Sequence, residues 1–188
     1  SGKSYHITNV AKYLKRKKID FIKIREPGGS QNSEKIRKLI LNKNSNFNKL
    51  TDMLLYLSAR SENIDQLKKF YKKKVILIDR FIDSTIAYQH YGMGVKLSII
   101  ELINSYLLKK FKPDFTFLNI VNSKNMINRL GSRKNLNRYD KFNNSFYRKV
   151  QNGFLKIAEK RKYYQIIDSN LDIEINKKII IKKIDNLI

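Results

Sequence analysis

Apolar positions along the chain follow two spacings, one typical of helices and one typical of buried strands. A spacing of about 3.6 residues predicts a helix from about Lys3 to Lys17, and it recurs over 50–71, 98–110 and 144–160. Ser33 is the predicted N-cap of one further helix, which carries Ile36, Leu39 and Ile40. A last helix is expected after residue 168.

Short apolar runs separate these helices and predict the strands 19–24, 75–79, 115–121 and 163–168. The run VILID at 75–79 is apolar almost throughout, which is typical of a strand buried on both faces. Strands that alternate with helices favour an α/β fold with a parallel sheet. We therefore expect a single domain over residues 1–188.

Composition narrows the class of protein further. The chain has 188 residues, of which 41% are hydrophobic, so it is long and apolar enough to fold around a core. It contains no cysteine, which excludes disulfides and thiolate metal sites. No apolar run is long enough to cross a membrane, so the cytoplasm is the expected location.

The formal net charge of +24 raises the alternative of a nucleic-acid-binding surface. Thirty lysines and only ten arginines are scattered over the whole chain, and isoleucine and asparagine, which also have A/T-rich codons, are frequent. This pattern favours a compositional origin for much of the charge, so we do not expect nucleic acid to be the main partner. A protein with polyphosphate substrates would tolerate the same positive field.

The first four residues, SGKS, match the end of the phosphate-binding loop G-x-x-x-x-G-K-[ST]. A predicted helix follows directly, and backbone N–H groups at a helix N-terminus favour phosphate. In such a loop Lys3 reaches the β- and γ-phosphates, and the Ser4 hydroxyl binds Mg²⁺. A buried strand normally precedes the loop, so we expect roughly a dozen residues of a longer protein before Ser1.

Two predicted strand ends carry further candidates for nucleotide chemistry. REPGGS at 25–30 ends one strand, although its glycines also fit an ordinary strand-to-helix turn. Asp79 ends the next strand, where a carboxylate could hold Mg²⁺ or its water. Thr85, Tyr88 and Gln89 follow at helical spacing, so they lie on nearly one side of a helix. Such a face could bind the base and sugar of a nucleotide, or it could be a polar helix face in solvent.

Two other features fit a nucleotide site and also have plain structural explanations. Tyr56 and Arg60 form an i, i+4 pair that could stack a base and hold a phosphate, whereas a lone buried arginine is typical of a structural ion pair. The basic segment 129–142 is typical of a loop between two helices. Such a loop either closes over polyphosphate and supplies positive charge or is simply solvated.

The order of these motifs resembles the thymidylate kinase family of bacteria. GKS, REPGG, YLSAR, DR-x₃-S-x₂-AYQ, KPD, R-x₃-R-x₃-NRYD and FYRKVQNGF follow one another over nearly the whole chain. REPGG and DR-x₃-S-x₂-AYQ together are highly specific to that family.

The resemblance implies a three-layer phosphate-loop nucleoside-monophosphate kinase fold. Its parallel sheet has the strand order 2-3-1-4-5, and strand 1 is the one absent from this chain. The implied reaction converts ATP and dTMP, its two partners, to ADP and dTDP, with Mg²⁺ as cofactor. Family members are usually homodimers, so we expect an interface through the helices around 50–70 and 98–108.

The resemblance also assigns roles to residues. The catalytic positions are matched by Lys3, Asp79, Arg133 and Arg138, and the metal positions by Ser4 and Asp79. The ATP positions are matched by Ser1, Gly2, Lys3 and Ser4. The expected dTMP contacts are Arg25, Glu26, Arg37, Tyr56, Arg60, Arg80, Thr85, Tyr88 and Gln89, and Thr85 and Gln89 among them would read the thymine edge.

Three alternatives stay open at the level of sequence. The chain could be a kinase for another monophosphate, such as dUMP or UMP. It could be an inactive fragment of a kinase, or it could be a basic protein that binds nucleic acid.

Overall fold

Helices and strands alternate through residues 2–131 and 137–188, which are the residues that the computed structural model describes. The strands are β1 (Phe21–Arg25), β2 (Val75–Asp79), β3 (Thr116–Ile120) and β4 (Tyr164–Asp168). The α-helices are α1 (Lys3–Arg16), α2 (Gln31–Leu41), α3 (Lys49–Ser61), α4 (Ile64–Phe70), α5 (Ile82–Thr85), α6 (Leu97–Leu108), α7 (Ser123–Gly131), α8 (Asn144–Glu159) and α9 (Ile173–Asp185). A π-helix (Ile86–Gly92) follows α5, and a 3₁₀ helix (Arg138–Lys141) precedes α8. None of the described helices is both long and apolar enough to cross a membrane.

The strands pair in parallel as two separate two-stranded sheets, β1 with β2 and β3 with β4. In the first sheet Arg25 lies opposite Asp79, so both residues stand at the carboxyl edge. The order 2-3-1-4-5 contains these two pairs, 2-3 and 4-5, on either side of its strand 1. The pairing therefore agrees with the order that the resemblance implies.

The strand β2 is half-buried along its whole length, so the prediction that it is buried on both faces was wrong. Among the described strands it pairs only with β1. Ile76 and Ile78 line a cavity of about 1220 Å³ that reaches between the two sheets. The apolar side chains of β2 that face this cavity stay partly accessible to solvent. The same apolar strand would be fully covered if it lay between two neighbouring strands.

The helix that follows REPGGS begins three residues earlier than the predicted cap would place it. Ser30 is the N-cap of α2, and its hydroxyl oxygen accepts from the backbone N–H of Ser33 at 3.3 Å. Ser33 is buried inside the first turn and donates to the carbonyl oxygen of Ala59 at 2.8 Å. This hydrogen bond ties the turn after β1 to α3.

The helix predicted over 50–71 is two helices, α3 and α4. The break falls at Asn63, which is fully buried and donates from Nδ2 to the carbonyl oxygen of Gly28 at 2.8 Å. Apolar spacing continues through this point, so the pattern alone does not reveal the break. The hydrogen bond from Asn63 to Gly28 is a second contact between the end of α3 and the turn after β1.

The segment predicted as a loop over 129–142 is helical at both ends where it is described. The helix α7 extends to Gly131, and a capping box of Asn137 and Asp140 begins the 3₁₀ helix. Residues 132–136, which include Arg133, lie outside the described residues.

Two apolar clusters hold the elements that surround the cavity. The larger one joins α3, the π-helix, α6 and α8 through Met53, Leu57, Ile86, Ile100 and Val150. A second cluster, which includes Val10, Leu14, Ile167 and Ile180, packs α1 against β4 and α9. The start of α1 and the π-helix are therefore each anchored to a core.

Candidate active site

One cavity brings most of the predicted site residues together. It extends from the carboxyl edge of β1 and β2, where open parallel sheets bind their ligands, into the space between the two sheets. The predicted residues that line it are Lys3, Ser4, Arg25, Glu26, Arg37, Tyr56, Arg60, Asp79, Arg80, Thr85 and Tyr88. Gly2, Gln89 and Arg138 are described but do not line it, and Ser1 lies outside the described residues.

The start of α1 forms one end of the cavity. Gly2 is the N-cap of α1 with φ of 68°, a left-handed conformation that favours glycine, and Lys3 and Ser4 form the first turn. The first N–H groups of a helix have no partner within the helix and favour an anion. This end of the cavity therefore suits the phosphates of a nucleotide.

Asp79 is the described residue that best fits a divalent cation. It ends β2, and its buried Oδ1 has no hydrogen-bond partner among the described residues. A lone carboxylate suits Mg²⁺, which keeps several waters and takes substrate phosphate oxygens as further ligands. Ser4, which lines the same cavity, supplies a second oxygen of the kind that Mg²⁺ prefers.

A buried ion pair between Glu26 and Arg60 lies below the cavity. Glu26 Oε2 accepts from Arg60 Nε at 2.8 Å, and Arg60 Nη2 lies 2.7 Å from the same oxygen. The two side chains are 5% and 2% exposed, so little water screens the pair. The structural explanation for Arg60 is therefore confirmed, and it is compatible with a binding role because both residues still line the cavity.

Arg60 also holds two other elements. Nη1 donates to Asn104 Oδ1 at 2.7 Å, and Nη2 donates to Thr85 Oγ1 at 3.1 Å. We call Glu26, Arg60, Thr85 and Asn104 the cavity floor. Sequence reasoning missed Asn104, although one signal was present: it is the only polar residue on the buried face of α6 that Ile100 and Leu108 define.

Two arginines of the phosphate region are held in different ways. Arg25 forms an exposed ion pair with Glu34 at 2.8 Å. Arg37 donates to the carbonyl oxygen of Pro27 at 2.7 Å, and burial, with the nearby charge of Arg25, lowers the pKa of Arg37 from its usual value. Both guanidinium groups line the cavity, where they suit a second phosphate group.

Two tyrosines, Tyr56 and Tyr88, and the neighbouring Arg80 also line the cavity. The Arg80 guanidinium lies 5.1 Å from the Tyr88 ring centre, and Nη2 donates to the Tyr88 hydroxyl at 3.4 Å. Burial raises the pKa of Tyr56 to about 12, so this phenol is neutral at physiological pH. Arg80 has a φ of 67°, a left-handed conformation that a non-glycine residue adopts at a cost and that is typical of functional sites.

Gln89 and Arg138 lie behind the cavity wall instead of lining it. Gln89 is fully buried and donates from Nε2 to Asp52 Oδ2 at 2.9 Å. Arg138 forms a buried ion pair with Asp52. Thr85 and Gln89 are 1% and 0% exposed, so the explanation of a polar helix face in solvent was wrong for both.

Parallel strands whose carboxyl ends open onto one cavity, beside a helix that begins with Lys3 and Ser4, are the arrangement of a phosphate-loop nucleotide kinase. The model of the thymidylate kinase family matches residues 1–180. This chain belongs to that family.

Individual relatives agree with this assignment over nearly their whole length. The thymidylate kinase of Acholeplasma laidlawii is 36% identical over 189 residues, which cover 98% of this chain and 93% of the relative. That of a Sulfurihydrogenibium species is 37% identical over 185 residues, covering 96% and 90%. The crystal structure of thymidylate kinase from Ehrlichia chaffeensis superposes with a TM-score of 0.77 at 30% identity, covering 98% of this chain and 92% of that one.

Glu26→Gln tests whether the ion pair stabilises the cavity floor. The substitution leaves the guanidinium of Arg60 buried without its counter-charge, so we expect the free energy of unfolding to fall by about 3–5 kcal/mol. Urea denaturation measures this change. The matched control is Glu34→Gln, whose arginine pair is about half exposed and should cost under about 1 kcal/mol. Equal effects of the two substitutions would contradict a special role for the buried pair.

Proposed function

We propose that this protein transfers the γ-phosphoryl group of ATP to dTMP and releases ADP and dTDP, as a step toward dTTP. The observation that carries this proposal is the single cavity that joins the first turn of α1, the Asp79–Arg80 end of β2 and the floor around Arg60. It combines a place for a polyphosphate with a place for a second nucleotide in a chain of the thymidylate kinase family. The supply of ATP makes the cytoplasm the expected compartment.

The donor end acts mainly through charge and position, which is what phosphoryl transfer requires. Lys3 and the N–H groups at the start of α1 hold the ATP phosphates. Ser4 and Asp79 would hold Mg²⁺, which when bound neutralises charge on the transferred group. We assign the further cationic contact from the segment 129–142 to Arg133, since Arg138 is engaged by Asp52.

The acceptor end positions dTMP for in-line attack. Arg25, Arg37 and Arg80 place the monophosphate, and the rigid floor of Glu26 and Arg60 fixes the depth at which the nucleoside binds. Tyr56, Thr85 and Tyr88 line the space for the base and sugar, and Gln89 lies behind this wall. A general base is not needed because the attacking phosphate oxygen of dTMP is already anionic.

The direct test is ADP formation by the protein with ATP, Mg²⁺ and dTMP, with dUMP and UMP assayed in parallel. We expect turnover that is fastest with dTMP. Lys3→Ala should lower kcat by about 100-fold or more, because Lys3 stabilises charge that develops in the transition state. The control is Lys68→Ala, since Lys68 is exposed and does not line the cavity.

Each rival function predicts a different result in this assay. Faster turnover with dUMP or UMP would mean a different monophosphate substrate. Absence of turnover, together with binding to nucleic acid that weakens steeply with salt, would favour the basic nucleic-acid-binding protein.

We further propose that the protein is a homodimer through α3 and α6. Their outward faces carry the exposed apolar side chains Leu50, Leu54, Ile99, Leu102 and Tyr106. Leu102 and Tyr106 are 70% and 77% exposed, which is unusual for large apolar residues outside an interface. These helices fall in the two regions, around 50–70 and 98–108, where the family resemblance led us to expect the interface.

Leu102→Glu should convert the dimer to a monomer, because it puts a charge into the apolar contact. Sedimentation over a range of protein concentrations measures the change. The control is Ile175→Glu on α9, a residue of similar character that is 50% exposed and should leave the dimer intact. A wild-type monomer at all concentrations, or a Leu102→Glu dimer, would contradict the proposed interface.

A further inference from the structure

Asp52 is a buried carboxylate that no part of the proposed mechanism uses. It lies in the first turn of α3 and is fully buried. Its Oδ2 accepts hydrogen bonds from Gln89 Nε2 at 2.9 Å and from the Tyr139 hydroxyl at 2.6 Å, and its Oδ1 faces Arg138 in an ion pair. The π-helix and the 3₁₀ helix, which are both distant from α3 in sequence, thus contact this one side chain.

The negative charge of Asp52 determines which end of the Gln89 side-chain amide, NH₂ or Oε1, faces it. A carboxylate paired with a guanidinium only accepts hydrogen bonds, so the amide must face it with its NH₂ group. The other atom of the amide, Oε1, is then directed away from Asp52. It is buried and has no hydrogen-bond partner among the described residues.

A buried acceptor without a partner has a free-energy cost, so it calls for an explanation such as a ligand that donates to it. Gln89 lies directly behind the wall of the nucleoside end of the cavity. Thr85 and Tyr88, from the same helical segment, line the cavity, and so does Tyr139, whose hydroxyl lies 3.4 Å from Gln89 Nε2.

We propose that Asp52 is a positioning residue that orients Gln89 so that Oε1 accepts a hydrogen bond from the N3–H group of the substrate base. This inference rests on the proposed function and adds a cause of base selectivity. Thymine carries a donor at N3, whereas cytosine carries an acceptor there. The orientation imposed by Asp52 therefore favours thymine and opposes cytosine.

The sharpest probe is 5-methyl-dCMP, which keeps the methyl group, sugar and phosphate of dTMP and changes only the edge that Gln89 would meet. Calorimetry should show that wild-type protein binds dTMP roughly 100-fold more tightly, since the wrong base leaves two acceptors facing each other. Similar affinities would overturn the inference and leave the kinase proposal standing. Failure to bind dTMP, with no ADP formed, would overturn both.

Variants separate positioning from a merely structural role. Asp52→Asn should reduce the preference for dTMP about tenfold, because an asparagine no longer dictates the amide orientation, and Asp52→Glu should retain it. Gln89→Leu should abolish most of the preference, and adding Asp52→Asn to Gln89→Leu should change it no further. A loss of thermal stability in Asp52→Asn with an unchanged preference would overturn the inference.

A second measurement covers the case in which Asp52→Asn does not fold. The side-chain NH₂ signals of Gln89 can be assigned in wild-type protein by their loss in Gln89→Leu. They should be protected from hydrogen exchange both without and with dTMP, because they face Asp52 and not the base. Loss of this protection when dTMP binds would overturn the inference.

Discussion

The ion pair between Glu26 and Arg60 is the interaction on which the candidate site depends most. Two charges under 6% exposed lose most of their hydration, and only good hydrogen-bond geometry compensates for that loss. Arg60 meets this demand by bonding to Glu26, Asn104 and Thr85 at 2.7–3.1 Å. Because these partners come from the end of β1, from α6 and from α5, one guanidinium fixes the relative positions of four elements around the cavity.

The location of the cavity follows from the parallel topology. Parallel strands end at a common edge, so Arg25 and Asp79, which lie opposite each other in the register, meet there although they are 54 positions apart in sequence. The cores on either side then determine what faces this edge. One cluster anchors α1 with Lys3, and the other anchors the π-helix with Tyr88. In the proposed function, the phosphates and the base of the two nucleotides therefore lie toward different ends of one space.

Local sequence signals predicted the strand ends, and most of the predicted site residues line the cavity, because parallel strands deliver their carboxyl ends to one place. They did not predict the partners of buried polar groups. Asp52, Asn104 and Tyr139 matter through contacts made across 37 to 87 positions, which no local pattern encodes. The break at Asn63 was missed for the same reason, since its cause is a hydrogen bond to Gly28 in another element.

The central claim is that dTMP binds in this cavity, against the floor around Arg60. Photo-crosslinking with 5-iodo-dUMP, in which iodine replaces the thymine methyl group, followed by peptide mapping, tests it most directly. We expect crosslinks in peptides that contain Tyr56, Phe81, Tyr88 or Tyr139, which are among the aromatic residues that line the cavity, and we expect dTMP to suppress them. Crosslinks that map elsewhere on the chain, or that persist with excess dTMP, would contradict it.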